Sequence, residues 1–161
     1  LDIHLPAGDL QSLHDVTQGW PAAVRMAALA ARAGGSDKLL VGLRHDDALA
    51  DYLTTEVLSR LDEEIRSFVL VATIDELVCP SLVDAVRGEG HAGGMLERCV
   101  ADGLFLTREA TSGTDQWYRW HSLFAAQMRD RRWAGDVAAA RSGELRAAQW
   151  WRSIATTAAA R

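Results

Sequence analysis

The chain has 161 residues, of which 48% are apolar and 24% charged, a composition typical of a water-soluble folded protein with one or two small domains. Its formal net charge of −5 argues against an exposed nucleic-acid-binding surface, because such surfaces usually carry a basic patch. The residues include no secretory leader and no apolar run of membrane-spanning length, so we expect a cytoplasmic protein without membrane contact.

Cysteine and histidine spacing predicts no metal site. Cys79 and Cys99 stand twenty residues apart without a CxxC pattern, and no histidine pair has ligand spacing with either of them. We therefore expect two reduced, buried cysteines, as in a cytoplasmic protein. Because the sequence begins with Leu1 and not with methionine, we expect it to be a piece of a longer protein.

The first third of the chain predicts helices. A short helix should end at Gly19, and Pro21 suits the first turn of the next helix, where the missing N–H costs nothing. An alanine-rich helix follows over residues 22–33. Apolar residues recur at helical spacing over residues 47–60 and predict another helix there. We assign residues 1–44 to a small helical domain.

Residues 62–132 predict the order helix, short helix, helix, hairpin, helix, which is the order of a winged helix with a two-stranded wing. Residues 74–79 are interpreted as a turn. The protein should thus be mostly α, with one β-hairpin. We place the winged-helix domain at residues 45–133, and residues 134–161 should begin a further helical domain, with Leu145, Trp151 and Ile154 on one stripe.

The second hairpin strand leads into His121, at the start of a helix where an anion can meet backbone N–H groups. A histidine there is either a helix-capping or core hydrogen-bonding residue, or a ligand contact. The neighbouring Ser122 makes no catalytic dyad, because adjacent helix residues do not face each other. The six tryptophans are interpreted as packing residues, with Trp20 and Trp117 in the core.

Four segments resemble one family when they are taken together and in order. They read TQGWPAAVRMAAL at residues 17–29, DYLTTEVL at 51–58, LERCVADGLFL at 96–106 and WYRWHSLF at 117–124. Each is similar to a segment of the large LuxR-type, MalT-like transcriptional regulators of the STAND ATPase class. The resemblance covers most of residues 15–130.

The resemblance implies that the chain lies downstream of a P-loop ATPase core and contains its helical and winged-helix domains, followed by the start of a helical-repeat sensor. In the wider class, a Gly-x-Pro segment contacts the adenine, which would place Gly19 and Pro21 there. A winged-helix histidine approaches the β-phosphate of ADP, and His121 takes that position. The implied partners are the ATPase core and the sensor of the same protein, and self-association is left open.

The expected function is therefore signal-dependent regulation of transcription, with ADP or ATP bound by the parent protein and no cofactor in this piece alone. The sequence contains no GxxxxGK[ST] motif, so we expect no ATP hydrolysis and assign no catalytic residue. The alternative is a DNA-binding winged-helix domain. Residues 62–133 carry eight basic and twelve acidic residues, a net charge of −4, and this balance disfavours direct contact with nucleic acid.

Overall fold

The computed structural model describes residues 56–109 and 115–159, together with residues 11, 14, 15, 17–21 and 24. The chain forms two compact units. One consists of residues 1–61 with residues 122–127, and the other of residues 62–121 with residues 128–161. In the first unit, Leu58–Arg60 forms a 3-10 turn with Leu58 buried. Most of the helix predicted over residues 47–60, and most of the alanine-rich helix, lie outside the described residues.

The second unit begins with helix α1, Glu63–Ala72. The Asp62 side chain caps it by accepting a hydrogen bond from the Ile65 N–H at 2.9 Å. Two glutamates in the first turn stabilise the helix, because their negative charges lie at the positive end of its dipole. The buried residues lie at the helical spacing of one apolar face, and they are Ile65, Phe68, Val69 and Ala72.

Two further helices follow. Helix α2, Pro80–Arg87, has its proline in the first turn and ends at Gly88, whose φ of 77° lies in the left-handed region that glycine tolerates. Helix α3 is Ala92–Ala101, and its N-terminus is held by the preceding helix, because the Ala92 N–H donates to the Asp84 carboxylate at 2.9 Å. This bond fixes the tight connection between α2 and α3.

The sheet has three antiparallel strands in the order β1-β3-β2. Strand β1 is Leu77–Val78, β2 is Leu106–Arg108 and β3 is Tyr118–Trp120. Leu106 pairs with Trp120 in the hairpin, and Val78 pairs with Tyr118 on the other side of β3. The predicted hairpin is confirmed, but the interpretation of residues 74–79 as a turn is wrong in part, because Leu77–Val78 forms a third strand on the other edge of β3.

Two long helices complete the described chain. Helix α4, Ser122–Gly135, is followed after Asp136 by α5, Val137–Ala159. The Asp136 carboxylate accepts the Ala139 N–H at 2.9 Å and so caps the start of α5. In the described residues, no helix combines the length and the apolarity that crossing a membrane requires.

Helix α5 packs through a different face from the apolar stripe that the sequence predicts. Its buried residues include Ala140 and Ala147, whereas Leu145 is 59% exposed and Ile154 is also exposed. A β-carbon added at Gly143 would lie 3.5 Å from a Val86 methyl group. The small-residue face of α5 therefore packs on α2. The predicted order of helices and hairpin over residues 62–132 and the mostly α class are confirmed, while the assigned domain limits stay predictions.

Candidate functional site

The Gly-x-Pro segment is an exposed turn between two helical segments. The Gln18 N–H donates to the His14 carbonyl at 2.7 Å, and the Trp20 N–H donates to the Thr17 carbonyl at 2.8 Å. Gly19 has a φ of 76°, a left-handed conformation that strongly favours glycine. Pro21 is exposed and lies in the next helical segment, as predicted. The left-handed backbone conformation alone thus explains why position 19 is a glycine, and no ligand contact is needed to explain it.

His121 connects β3 to α4. Its N–H donates to the Phe105 carbonyl at 2.8 Å, which fixes the backbone at the end of the hairpin. The residue is half-buried, and its Nδ1 atom is shielded from solvent. His121 precedes the first residue of α4, and its side chain makes no capping hydrogen bond to that helix, while the core hydrogen-bonding alternative stays open. The imidazole is thus held at a strand end and only partly covered by protein.

Gly19 and Pro21 belong to one compact unit, and His121 belongs to the other. The predicted local structure is present at each position: a helical segment ends near Gly19, the next begins at Pro21, and His121 joins a strand to a helix. Their contact with a nucleotide stays a prediction.

A polar cluster that sequence reasoning missed joins the wing to α3. Arg108 on β2 donates from Nε to both carboxylate oxygens of Glu97, each at 3.1 Å, and the Tyr118 hydroxyl donates to Glu97 at 2.5 Å. Hydrogen bonds from Arg108 and Tyr118 lower the pKa of Glu97 to about 2. Burial and the Glu97 carboxylate raise the pKa of Tyr118 to about 12. The cluster holds the hairpin against α3.

Carboxylates surround the arginine of α3. Arg98 donates to Asp62, and its guanidinium lies 3.7 Å from Asp102 and 3.9 Å from Glu64. In a DNA-binding winged helix, this helix would enter the groove and its cations would meet phosphates. Here the charge of Arg98 is already balanced within the protein.

The packing role predicted for the six tryptophans holds only in part, because Trp133 is 39% exposed and Trp151 is 40% exposed. Trp120 is fully buried, and its indole N–H donates to the Ala72 carbonyl at 3.0 Å. Trp117 and Trp20 are only half-buried, so their assignment to the core is wrong. Trp117 stacks on Trp151 with ring centroids 6.0 Å apart and meets Trp150 edge-on, because α5 passes beside the hairpin.

Both cysteines are unbridged and buried, as predicted. Burial raises the pKa of the Cys99 thiol to about 12, so this thiol is a packing group and a poor nucleophile. No group of three or more histidine, cysteine or carboxylate side chains suitable for a metal ion occurs within the described ranges.

Comparison with known proteins identifies the family. The MalT winged helix domain matches residues 54–153. The chain is 41% identical over 125 residues to the serine/threonine-protein kinase PknK of Mycobacterium tuberculosis (strain ATCC 25618 / H37Rv), a match that covers 76% of this chain and 11% of the kinase. It is 35% identical over 136 residues to the HTH-type transcriptional regulator MalT of Yersinia enterocolitica, a match that covers 81% of this chain and 15% of the regulator.

A second MalT regulator, from Klebsiella pneumoniae, is 34% identical over 132 residues, which are 79% of this chain and 14% of the regulator. The chain therefore spans about one ninth to one seventh of the length of these relatives. The matches confirm the resemblance to MalT-like regulators. On the strength of the match over residues 54–153, this chain belongs to the MalT winged helix domain family.

Proposed function

We propose that this chain is a regulatory helical and winged-helix region of a signal-responsive, ATP-dependent transcriptional regulator. In this proposal it packs on the ATPase core of the same protein and responds to whether ADP or ATP is bound. The same region matches proteins named as transcriptional regulators and one named as a kinase. A region shared by differently named proteins supports a regulatory role that is separate from either named activity.

The single observation that carries the proposal is the placement of His121. The residue ends β3, its backbone is fixed by the Phe105 carbonyl, and its side chain is only half-buried. A half-buried imidazole at a strand-to-helix junction can donate a hydrogen bond to a phosphate, and the helix start favours negative charge. Gly19 and Pro21 would supply the adenine contact, as the family resemblance implies.

The mechanism is a population shift. ADP would stabilise a closed arrangement because it contacts both the core and His121, and ATP with an effector would favour the open arrangement. A hydrogen bond to a charged phosphate contributes about 1.5–3 kcal/mol, which changes such an equilibrium about tenfold or more. The helical-repeat sensor, beginning near α5, would receive the effector signal. Opening would then permit self-association and activation of transcription.

Direct DNA binding is the less supported alternative. The single arginine of α3 is balanced by three carboxylates, and the two arginines of the wing strands, Arg108 and Arg119, are paired with Glu97 and Glu109. A phosphate would have to displace these contacts before it could bind. We therefore propose that the winged helix contacts protein.

The test is His121→Ala in the full-length protein that contains this chain. We expect its affinity for ADP to fall about tenfold and its basal transcription, without effector, to rise, because the closed state loses one phosphate contact. ADP titration and a reporter assay measure the two quantities. His14→Ala is the matched control, since this histidine is 73% exposed on a helical segment, and it should change neither quantity.

Folding must be separated from sensing in this test. A thermal unfolding curve of the His121→Ala protein should match that of the wild type within a few degrees. Unchanged ADP affinity together with unchanged basal transcription would remove His121 from the switch.

A further inference from the structure

The second compact unit contains a pocket that none of the predicted nucleotide contacts lines. Its volume is about 370 Å³, which is in the range of small-molecule sites. Its walls come from α1, α2, α4 and α5, and its apolar surface includes Phe68, Val71 and Val86. Three arginines, Arg87, Arg132 and Arg146, and two glutamates, Glu64 and Glu89, also line the pocket, so it offers apolar contact together with one more positive than negative charge.

Arg132 of α4 is the central polar group of this pocket. Its side chain is only 9% exposed, and its Nη2 atom donates to the Glu144 carboxylate at 2.5 Å. Its Nε and Nη1 atoms are also buried but make no hydrogen bond within the described part of the chain. Buried donors without acceptors cost free energy, and burial accordingly lowers the pKa of Arg132. An acceptor entering the pocket would recover that cost.

Two more guanidinium groups line the same pocket. Arg146 of α5 is oriented by uncharged oxygens, since its Nε donates to the Val86 carbonyl at 2.7 Å and its Nη1 to the Ser142 hydroxyl at 2.8 Å. The Arg87 guanidinium lies over the Phe68 ring, 5.2 Å from its centroid. Arg146 is thus held at the pocket by neutral neighbours, whereas Arg87 is held by the Phe68 ring and by its ion pair with Glu89.

Each carboxylate near this pocket lies within 4 Å of an arginine, and for two of them that arginine lines the pocket. Glu89 lies 3.0 Å from Arg87, and Glu64 lies 3.9 Å from Arg98. Glu144 takes one of the Arg132 donors. With these pairs formed, the charge of Arg146 and two nitrogen atoms of Arg132 have no carboxylate partner among the contacts described above.

We propose that this pocket binds a small organic anion, with its carboxylate or phosphate group on Arg132 and Arg146 and its apolar body on Phe68, Val71 and Val86. Arginine presents a planar set of donors that suits either anion. Because the pocket is built from the winged helix and α5 together, an occupant would stabilise the packing of α5 on α1 and α2. This site is independent of the proposed nucleotide switch and stands if that switch fails.

The binding test uses the 161-residue chain and four probes: benzoate, its neutral analogue benzamide, phenyl phosphate and inorganic phosphate. We expect saturable binding of benzoate or phenyl phosphate, followed by amide chemical shifts of α1, α2, α4 and α5. Benzamide should bind at least tenfold more weakly than benzoate, because it lacks the charge. Inorganic phosphate should bind more weakly than phenyl phosphate, because it lacks the apolar body.

The probes also distinguish the two anion chemistries, since tighter binding of benzoate indicates a carboxylate ligand and tighter binding of phenyl phosphate indicates a phosphate. Saturable binding of neither anion would overturn the assignment. Equal binding of benzoate and benzamide would overturn it as well, because the arginines would then play no part.

Substitutions assign the binding to these arginines. Arg146→Gln should weaken binding of the better anion about tenfold, and Arg132→Gln should weaken it at least as much. Arg141→Gln removes the same charge from an exposed position on α5 outside the pocket lining and is the matched control. Arg146 is exposed enough that its substitution should leave the fold intact, so unchanged affinity in Arg146→Gln would contradict the proposal even if Arg132→Gln failed to fold.

Discussion

At the scale of single residues, Trp120 has the largest fully buried side chain in the described part of the chain, and it also makes a buried hydrogen bond. Replacing it with phenylalanine removes the donor to the Ala72 carbonyl and leaves a small cavity. We expect Trp120→Phe to lower the free energy of unfolding by about 1–3 kcal/mol. Urea unfolding measures this change. Trp133→Phe, at a position that is 39% exposed, is the matched control and should stay within about 0.5 kcal/mol of the wild type.

The cluster around Glu97 predicts a pH dependence of stability. The folded protein holds the pKa of Glu97 at about 2, below the ordinary value of 4.5. Unfolding therefore raises this pKa, so the stabilisation is complete above about pH 4.5 and is lost as the pH falls toward about 2. The difference in melting temperature between wild type and Glu97→Gln should be largest near neutral pH and should shrink over that acidic range.

A second substitution checks that the partners of Glu97 cause this dependence. Once Glu97 is replaced, Arg108→Gln should add little further loss, because its carboxylate partner is already gone. A melting-temperature difference that stays constant from neutral pH to about pH 2 would show that Glu97 is not held by these hydrogen bonds.

Sequence reasoning found single residues when their role was encoded by local backbone chemistry. Pro21 at a helix start and Gly19 at a helix end are of this kind. Arg132 is different, since an arginine in a polar helical stretch predicts a solvated side chain. Its burial follows from the packing of α5 against the winged helix, and no pattern along the sequence records that contact.

At the scale of elements, the amphipathic helices were predictable and the smallest strand was not. Helix α1 has an acidic first turn and apolar residues at helical spacing, which is a strong local signal. Strand β1 has two residues, too few for any alternation to show, and it exists because β3 offers an open edge. The packing face of α5 was also missed, because alanine and glycine give a weak apolar signal compared with the exposed leucine and isoleucine.

The close packing of α5 on α2 predicts opposite effects for two substitutions at Gly143. In Gly143→Ala, the added methyl group would make ordinary contact with Val86 at 3.5 Å and Ile74 at 3.8 Å. Together with the higher helix propensity of alanine, this should raise the free energy of unfolding by about 0.5–1 kcal/mol. In Gly143→Leu the branched side chain extends beyond a β-carbon that already contacts Val86 and Ile74, and we expect this crowding to lower the free energy of unfolding by about 1–3 kcal/mol.

Gly94 is the matched control for this pair, because it lies within α3 and an added β-carbon there meets no atom within 4 Å. Gly94→Leu should therefore keep or raise the stability, as helix propensity alone predicts. Equal destabilisation by leucine at both positions in urea unfolding would show that α5 does not pack closely on α2 in solution.

At the scale of the whole molecule, the acidic side chains are placed so that each arginine of α3 and of the wing strands is paired with a carboxylate. The three arginines there, at positions 98, 108 and 119, each lie within 4 Å of a carboxylate. Such surface pairs add little to stability, but they determine what the surface can attract. A polyanion approaching this face meets carboxylates as well as paired arginines, and it gains little by releasing its counterions.

This distribution predicts that the chain gives no complex with a mixed-sequence DNA duplex at physiological salt in a fluorescence anisotropy titration. The double variant Glu64→Lys and Asp102→Lys raises the formal net charge from −5 to −1 and releases Arg98 from two of its carboxylate neighbours. We expect this variant to gain weak binding that disappears as salt is raised, because its added contacts are with phosphates. A tight, salt-sensitive complex of the wild-type chain would instead support the DNA-binding alternative, since the pairing of these arginines would then have been overcome by the duplex.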